Sequence, residues 1–531
     1  MISRRLALQA TGASLLGGAL FGFRPAQARK RKVLRAAMLN ELRSLDPVQS
    51  GSYATRNHAY MIYDTLFAMD ADGHIQPQMV ERYEVSEDGL VYRFTLREGL
   101  LFHDDRPVTA ADAVASIRRW AARDTLGQML LRAVRRMTVL DSVSFEIVLE
   151  RRFGLVLHAL GGPSTRVLFI MPERLAETPP DQAVAEQVGS GPFTFDAARW
   201  KPGTIAVYDR FAGYSPRPEA PSWEAGGKVV HLDRVECVFA ADPQSAVNAL
   251  LAGELDMIEQ PPIDQLDVLK DDAETVLLEQ NALGNQLFLR FNPLWPPFAD
   301  PRLRQAAIAC LNQEDFLKSA IGDPLYYESC PAMFVCDTPL ATPEGGVSLL
   351  KSDFERCKRL LREVGYAGAP IVLLHPLDQP VLSQLAPVAR QLLERGGFKV
   401  QMVPLGWQAY LDRRHSKAAP TAGGWSIFLG TANSVDALDP ISTATLNATG
   451  ETGYDGWFDD PRLEEMKRRF VEAPDLAAEQ EQARAIQLYA LQELGTHAYL
   501  GQYKLPMAIH QRLSGVLPGT APHFWNIDKV A

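Results

Sequence analysis

Cysteine is scarce: five among 531 residues, at positions 237, 310, 330, 336 and 357. No histidine cluster accompanies them, and the ten histidines are dispersed with no pair at i, i+4, so no zinc-type ligand set is legible. The sequence also lacks a GxGxxG loop, a Walker loop, HExxH and GxSxG, which removes the commonest dinucleotide, nucleoside triphosphate, metalloprotease and esterase readings. Basic runs are missing too, apart from Arg29 to Lys32, and Lys+Arg 54 against Asp+Glu 64 gives a net charge of -10. An acidic chain of this kind is a poor nucleic-acid binder. Beyond the first thirty residues no apolar run reaches the roughly 20 residues a membrane-spanning helix needs.

Hydrophobic residues make up 47% and charged residues 22%, ordinary globular usage, and the length suits two to four domains. The N-terminus reads as an export signal. Ser3, Arg4 and Arg5 precede an apolar, Gly-rich run from Leu6 to Phe23, and Ala26-Gln27-Ala28 offers a small-residue cleavage site. The paired arginines point to the twin-arginine route. Removal of residues 1–28 takes away three arginines and no acids, leaving 51 basic against 64 acidic residues. In an oxidising compartment the closely spaced Cys330 and Cys336 are candidates to close a small disulfide loop, whereas Cys310 and Cys357 fall on apolar helix faces.

Strands and helices interleave throughout. Leu90, Tyr92, Phe94 and Leu96 alternate on one face of a strand, and Val143, Phe145, Ile147 and Leu149 on another. Between them Thr109 caps a helix with Asp112 in the third position. Residues 285–292 read as a buried strand. Asp300-Pro301 and Asp460-Pro461 each open a helix, Ser352 begins an amphipathic helix stopped by Gly365, and two further helical stretches lie within 475–494. The pattern is α/β with mixed sheets.

Catalytic groups are sparse. Ser348-Leu349-Leu350-Lys351 matches the S-x-x-K pattern of exported serine hydrolases, but its partner motifs S-D-N and K-T-G are absent. A secreted hydrolase using Ser348 and Lys351 is therefore only an alternative reading, and no cofactor is implied.

Leu45-Asp46-Pro47, Tyr63-Asp64-Thr65-Leu66, the segment Glu84 to Gly99, Phe102-His103-Asp104, Pro107 to Asp112, Gly189-Ser190-Gly191-Pro192-Phe193, Leu251 to Asp256 and Asp300 to Ala306 occur in an order and spacing that resembles the signature of the bacterial extracellular solute-binding proteins of family 5. The resemblance implies a periplasmic-binding-protein-like two-lobed (Venus flytrap) α/β fold of class II, cluster C, with an extra domain inserted in the first lobe. The expected division is 33–70, 185–285 and 506–531 for lobe I, 71–184 for the inserted subdomain and 286–505 for lobe II. It also implies a monomeric periplasmic protein that captures peptides or a related small solute and delivers it to the permease subunits of an ABC importer; a nickel or metal-chelate binder of the same fold is an alternative.

In peptide binders of the family an aspartate in a D-x-x-[DE]-P pattern pairs with the ligand ammonium group. Asp436-Ala437-Leu438-Asp439-Pro440 matches, which makes Asp436 the leading ligand residue, unless both acids simply cap the turn before Pro440. Where related dipeptide binders carry an arginine before a proline, this chain has Gln379 before Pro380. Arg290 and Arg390 are the candidates to replace that charge. Tyr53, Trp407 and Trp425 are candidates to line the pocket.

Overall fold

The computed structural model describes residues 31–239, 242–281 and 283–530; the export signal expected over residues 1–28 lies outside them. Two sheets organise the chain. A seven-stranded mixed sheet takes its strands from both ends of the sequence: Val33–Met38 lies at its centre, parallel to Arg234–Phe239 and to Met257–Ile258, and Met507–His510 closes on Met257–Ile258. A six-stranded sheet is built around Asn285–Phe291, flanked by antiparallel Ile427–Asn433 and His497–Tyr503, with Ile371–Pro376 parallel to Val400–Leu405 and to Ile427–Asn433. Asn285–Phe291 is buried along nearly its whole length, as expected for a central strand, with Leu287, Phe288, Leu289 and Phe291 as its apolar residues.

The chain leaves the first sheet after Leu278 and returns after Tyr503. Leu278 pairs with Met507 and Asn285 with Tyr503, so the two crossings run side by side. Gly284 sits in one of them with φ +68°, and a Cβ there would approach the Tyr503 carbonyl oxygen to 2.5 Å, a combination that only glycine accommodates.

A four-stranded antiparallel sheet, ordered Val80–Val85, Val91–Leu96, Ser144–Leu149 and Val134–Val139, falls in sequence between strands of the first sheet. Tyr92, Phe94 and Leu96 are buried as their alternation predicts, and the Phe94 ring stacks on Phe145 at 4.9 Å. Helix Ala110–Ala121 starts with the expected capping box between Thr109 and Asp112. From its far end Arg119 reaches Asp46 at 2.7 Å, both side chains 1% exposed, and so ties this layer to the first sheet. Lys228 and Asp64 form a second such pair at 2.7 Å. Two of the sequence motifs therefore carry buried structural charges.

Helix Pro301–Cys310 is capped by Asp300 and helix Pro461–Val471 by Asp460, as read from sequence. Two boundaries differ. Asp353, not Ser352, caps Phe354–Glu363, because its carboxylate reaches the Arg356 amide while the Ser352 hydroxyl donates to the Cys310 carbonyl instead. The Ala, Gln and Leu-rich stretch is one α-helix, Leu476–Leu488, continued by a wider π-turn over Tyr489–Leu494, rather than two separate helices. Cys330 and Cys336 lie with their sulfurs 2.11 Å apart and their Cα atoms 6.0 Å apart, as a disulfide.

Candidate functional site

Parallel strands place their carboxyl ends on one side of a sheet, and the loops that follow them form the natural ligand crevice of an α/β layer. In the second sheet those loops hold three of the candidates. Gln379 follows Ile371–Pro376, Trp407 follows Val400–Leu405, and Asp436 follows Ile427–Asn433. Gln379 is half-buried at the start of the short helix Pro380–Ser383, and its side chain makes no hydrogen bond among the described residues. The Trp407 amide donates to the Asp378 carboxylate at 2.9 Å, and its ring stacks on Tyr410 at 5.3 Å.

In the first sheet the corresponding strand ends border a small recess whose walls include Met38, Asn57, His58, Trp200, Tyr208 and Glu259. Glu259 directly follows the strand Met257–Ile258, and burial holds its carboxyl above the usual range. Burial likewise presses His58 down to about 4, so its neutral ring is free to share a hydrogen bond with the Tyr208 hydroxyl at 2.9 Å.

Helix Tyr53–Ile62, capped by Ser52, carries one candidate from the first half of the molecule to the second. The Tyr53 hydroxyl donates to Asp436 Oδ2 at 2.6 Å and accepts the Asn433 amide at 3.0 Å. The two strand-end edges thus face each other across a shared cleft. Asp436 sits in the short 3-10 turn Ser434–Ala437, which begins when the Asn433 side chain accepts the Val435 amide. Burial raises the Asp436 carboxyl above its ordinary value; the Tyr53 bond, the more distant Arg56 guanidinium and the Thr165 amide only temper that rise. Among the described residues no lysine, arginine or histidine forms an ion pair with it. A desolvated carboxylate that holds two neutral donors and no cation is set up to receive one.

The two acids of the D-x-x-D-P pattern have separated roles. Asp439 Oδ1 accepts the Ile441 and Ser442 amides at 2.6 and 2.9 Å, which is the capping role, whereas Asp436 caps nothing and faces Tyr53.

Other candidates are corrected by their surroundings. Trp425 is fully buried, its indole N–H bound to the Arg414 carbonyl at 2.9 Å and its ring edge-on to Phe428; it is core of the second half. Arg290 is fully buried as well. Its guanidinium donates to the carbonyls of Asp455, Thr445 and Thr496 and lies 4.5 Å over the Phe458 ring, so it staples loops to the central strand and has no face toward the cleft. Arg390 is on the surface, paired with Glu394 at 3.0 Å. Ser348 and Lys351 are exposed at a 3-10 turn with no hydrogen bond between them, so Lys351 is not positioned as a base for Ser348. The one grouping of metal-type ligands among the described residues, Asp70, Asp72 and His74, belongs to the turn of the hairpin Phe67–Pro77, where Asp70 accepts the Asp72 and His74 amides and the Gln76 side chain.

Tyr53 tests the bridging geometry. Tyr53→Phe removes the only side-chain hydroxyl on Asp436 among the described residues, and we expect a three- to tenfold loss of ligand affinity in calorimetry with little change in thermal midpoint, in keeping with about 1 kcal/mol for one neutral hydrogen bond. An unchanged dissociation constant would detach Tyr53 from the site.

Two sheets joined by paired crossings, with their strand ends facing over one cleft, define the class of two-lobed binding proteins. Solved structures of that class overlay the chain: the binding protein AgaA with agropinic acid from A. tumefaciens R10 (TM-score 0.76, 22% identity, 94% of this chain and 99% of that one) and a dipeptide-binding protein from Pseudoalteromonas sp. SM9913 with Met-Leu (TM-score 0.76, 17% identity, 94% and 100%). The model of the bacterial extracellular solute-binding proteins, family 5 matches residues 74–451. A probable peptide ABC transporter periplasmic-binding protein of Sinorhizobium fredii is 35% identical over 526 residues, 98% of this chain and 97% of the relative, and a glutathione-binding protein of Salmonella paratyphi A is 24% identical over 78% of each chain. The chain belongs to family 5 of the extracellular solute-binding proteins, the periplasmic or extracellular capture components of ABC importers.

Proposed function

We propose that this protein, exported by the twin-arginine route and working as a monomer without cofactor, encloses a peptide or a related amine-bearing solute between its lobes and presents it to the permease subunits of an ABC importer. The lobes follow the two sheets: 33–70, 185–285 and 506–531 in the first, 286–505 in the second, with 71–184 as the inserted subdomain. The carrying observation is the cation-free Asp436 carboxylate, held across the cleft by Tyr53. A ligand ammonium there would gain a charge-assisted bond and remove the burial cost of the unpaired carboxylate. Tyr53, Gln379 and Trp407 complete the proposed lining. The neutral Gln379 offers no charge for a ligand carboxylate, which favours longer or modified peptides and other amines over strict dipeptides. Because ligand touches both halves only when they are together, it acts by stabilising the closed state.

Native mass spectrometry of protein taken from its own periplasm reads the solute directly. A released, non-covalent compound with a primary or secondary amine is the expected result. A co-purified solute with no basic nitrogen, or a covalent adduct on Ser348, would overturn the proposal.

A further inference from the structure

The inserted subdomain touches the second lobe on its own account. The Gly154 amide donates to the Val471 carbonyl at 2.7 Å, Arg152 reaches the Pro474 carbonyl at 3.3 Å, and Arg151 lies 3.7 Å from Glu472. A Cβ on Gly154 would come within 2.6 Å of the Ala473 carbonyl oxygen, so the approach is a close one. At the inner end of this seam His158, from the helix Val156–Gly161, places its Nε2 3.6 Å from Asp439 Oδ2. Asp439 is the acid whose other oxygen caps the turn at 441–442, three residues beyond Asp436 on the same piece of chain.

We propose that His158 is a positioning residue: its imidazolium pairs with Asp439 across the cleft, holds the turn that presents Asp436, and makes closure of the lobes favourable at mildly acidic pH and weaker at alkaline pH. The proposal rests on closure being the working motion but not on the identity of the solute, since neither His158 nor Asp439 is part of the proposed lining.

The charged groups around the ring support the charged form. Asp439 faces it from the turn, Glu479 from the helix Leu476–Leu488, and Asp124 from the cap of the helix Thr125–Ala133, with Arg166 and Asp475 acting on Asp124 and Glu479 in turn. Burial alone would lower the affinity of His158 for its proton, but the close pairing with Asp439 and the charges of Glu479 and Asp124 outweigh it, and the net shift is upward. Asp439 moves the other way: the imidazolium and the turn amides overcome its burial and hold its carboxyl below the ordinary value. When the lobes separate, His158 loses this partner and returns toward an ordinary histidine, near 6.5. The closed state then binds the proton more tightly than the open one. Its extra stability is complete below the open-state value and is lost as pH rises through the closed-state value. Asp124 is pushed up to about 6 and finishes ionising in the lower part of the window; the added negative charge there favours the imidazolium, so the fall in closure at higher pH follows the imidazole.

The test is the distance between spectroscopic labels, one on each lobe, in the full mature chain without added solute, measured by single-molecule energy transfer at pH 6.5 and 8.5. The wild-type closed-to-open ratio should fall severalfold across that window, as an upward-shifted imidazole loses its proton. His158→Gln should be more open at both values and flat between them, and His158→Lys, charged throughout, should restore closure at pH 8.5. A flat wild-type profile overturns the assignment, and so does a slope that survives in His158→Gln. If His158→Gln does not fold, Asp439→Asn removes the same pair from the opposite side, and the same flattening is required. Because no ligand is present, a failure here is separate from any failure of Asp436 to bind an ammonium group.

Discussion

Asp436→Asn should cost ten- to hundredfold in affinity for the solute recovered from the native protein, while the empty protein becomes slightly more heat-resistant. The loss corresponds to the roughly 1.5–3 kcal/mol of a hydrogen bond to a charged group. The gain follows from linkage. Burial raises the Asp436 carboxyl above its unfolded value, so at neutral pH the folded state carries an ionised group it would rather keep protonated. That penalty disappears as pH falls through the folded value, and the amide removes it at every pH. Ligand reverses the sign, because an ammonium beside the carboxylate favours ionisation; binding to the native protein should therefore weaken on acidification, and binding to Asp436→Asn should lose that acid limb. Calorimetry at pH 7.5 and 5 on both proteins measures this. Equal affinities for the two proteins would remove Asp436 from the site.

The largest stability effect is expected outside the proposed lining, at Asp46. Its carboxylate takes both outer nitrogens of Arg119 at 3.1 and 2.7 Å and the Val184 amide at 2.9 Å, all out of water. Asp46→Asn leaves a guanidinium buried without its counter-charge, and a loss of about 3–5 kcal/mol in unfolding free energy follows. Replacing both partners with apolar residues, as in Asp46→Leu with Arg119→Met, should recover much of it, since no charge is then stranded. The pH dependence has the ordinary sign for a paired acid. Burial opposes ionisation, but Arg119 and the Val184 and Val48 amides outweigh it and lower the Asp46 carboxyl. The stability it contributes is complete above the unfolded value and is lost as pH falls through the folded one. Urea midpoints at pH 7 for the single and double variants decide the matter; a single variant within 0.5 kcal/mol of wild type, as an order-of-magnitude bound for a neutral surface change, would mean that the pair holds nothing.

Much of the framework is written in local patterns. Alternation over Tyr92, Phe94 and Leu96 and the boxes at Thr109, Asp300 and Asp460 act over a few residues, so they can be read without knowing where the chain goes next. The cleft is different. The motif around Asp436 is short and stands out in the sequence, but Tyr53 meets that carboxylate from 383 positions away, and the Thr165 contribution comes from a backbone amide, which has no side-chain signature. Trp425 and Arg290 misled for a related reason. An aromatic or an arginine near a strand looks the same whether it faces a groove or the interior, and only the packing of Phe428 and Trp457, and three carbonyls from distant loops, put these two inside. His158 carried no signal at all, since its partner is supplied by another layer.

Under the proposed closure, the twin crossings after Leu278 and Tyr503 would act as the spine of a book. Covers bound along one spine can turn only about its line, so whatever solute lies between the pages, the outer boards travel the same arc. A membrane complex that handles only those boards receives capture as an angle, a message that says how far the book has shut and nothing about what was placed inside.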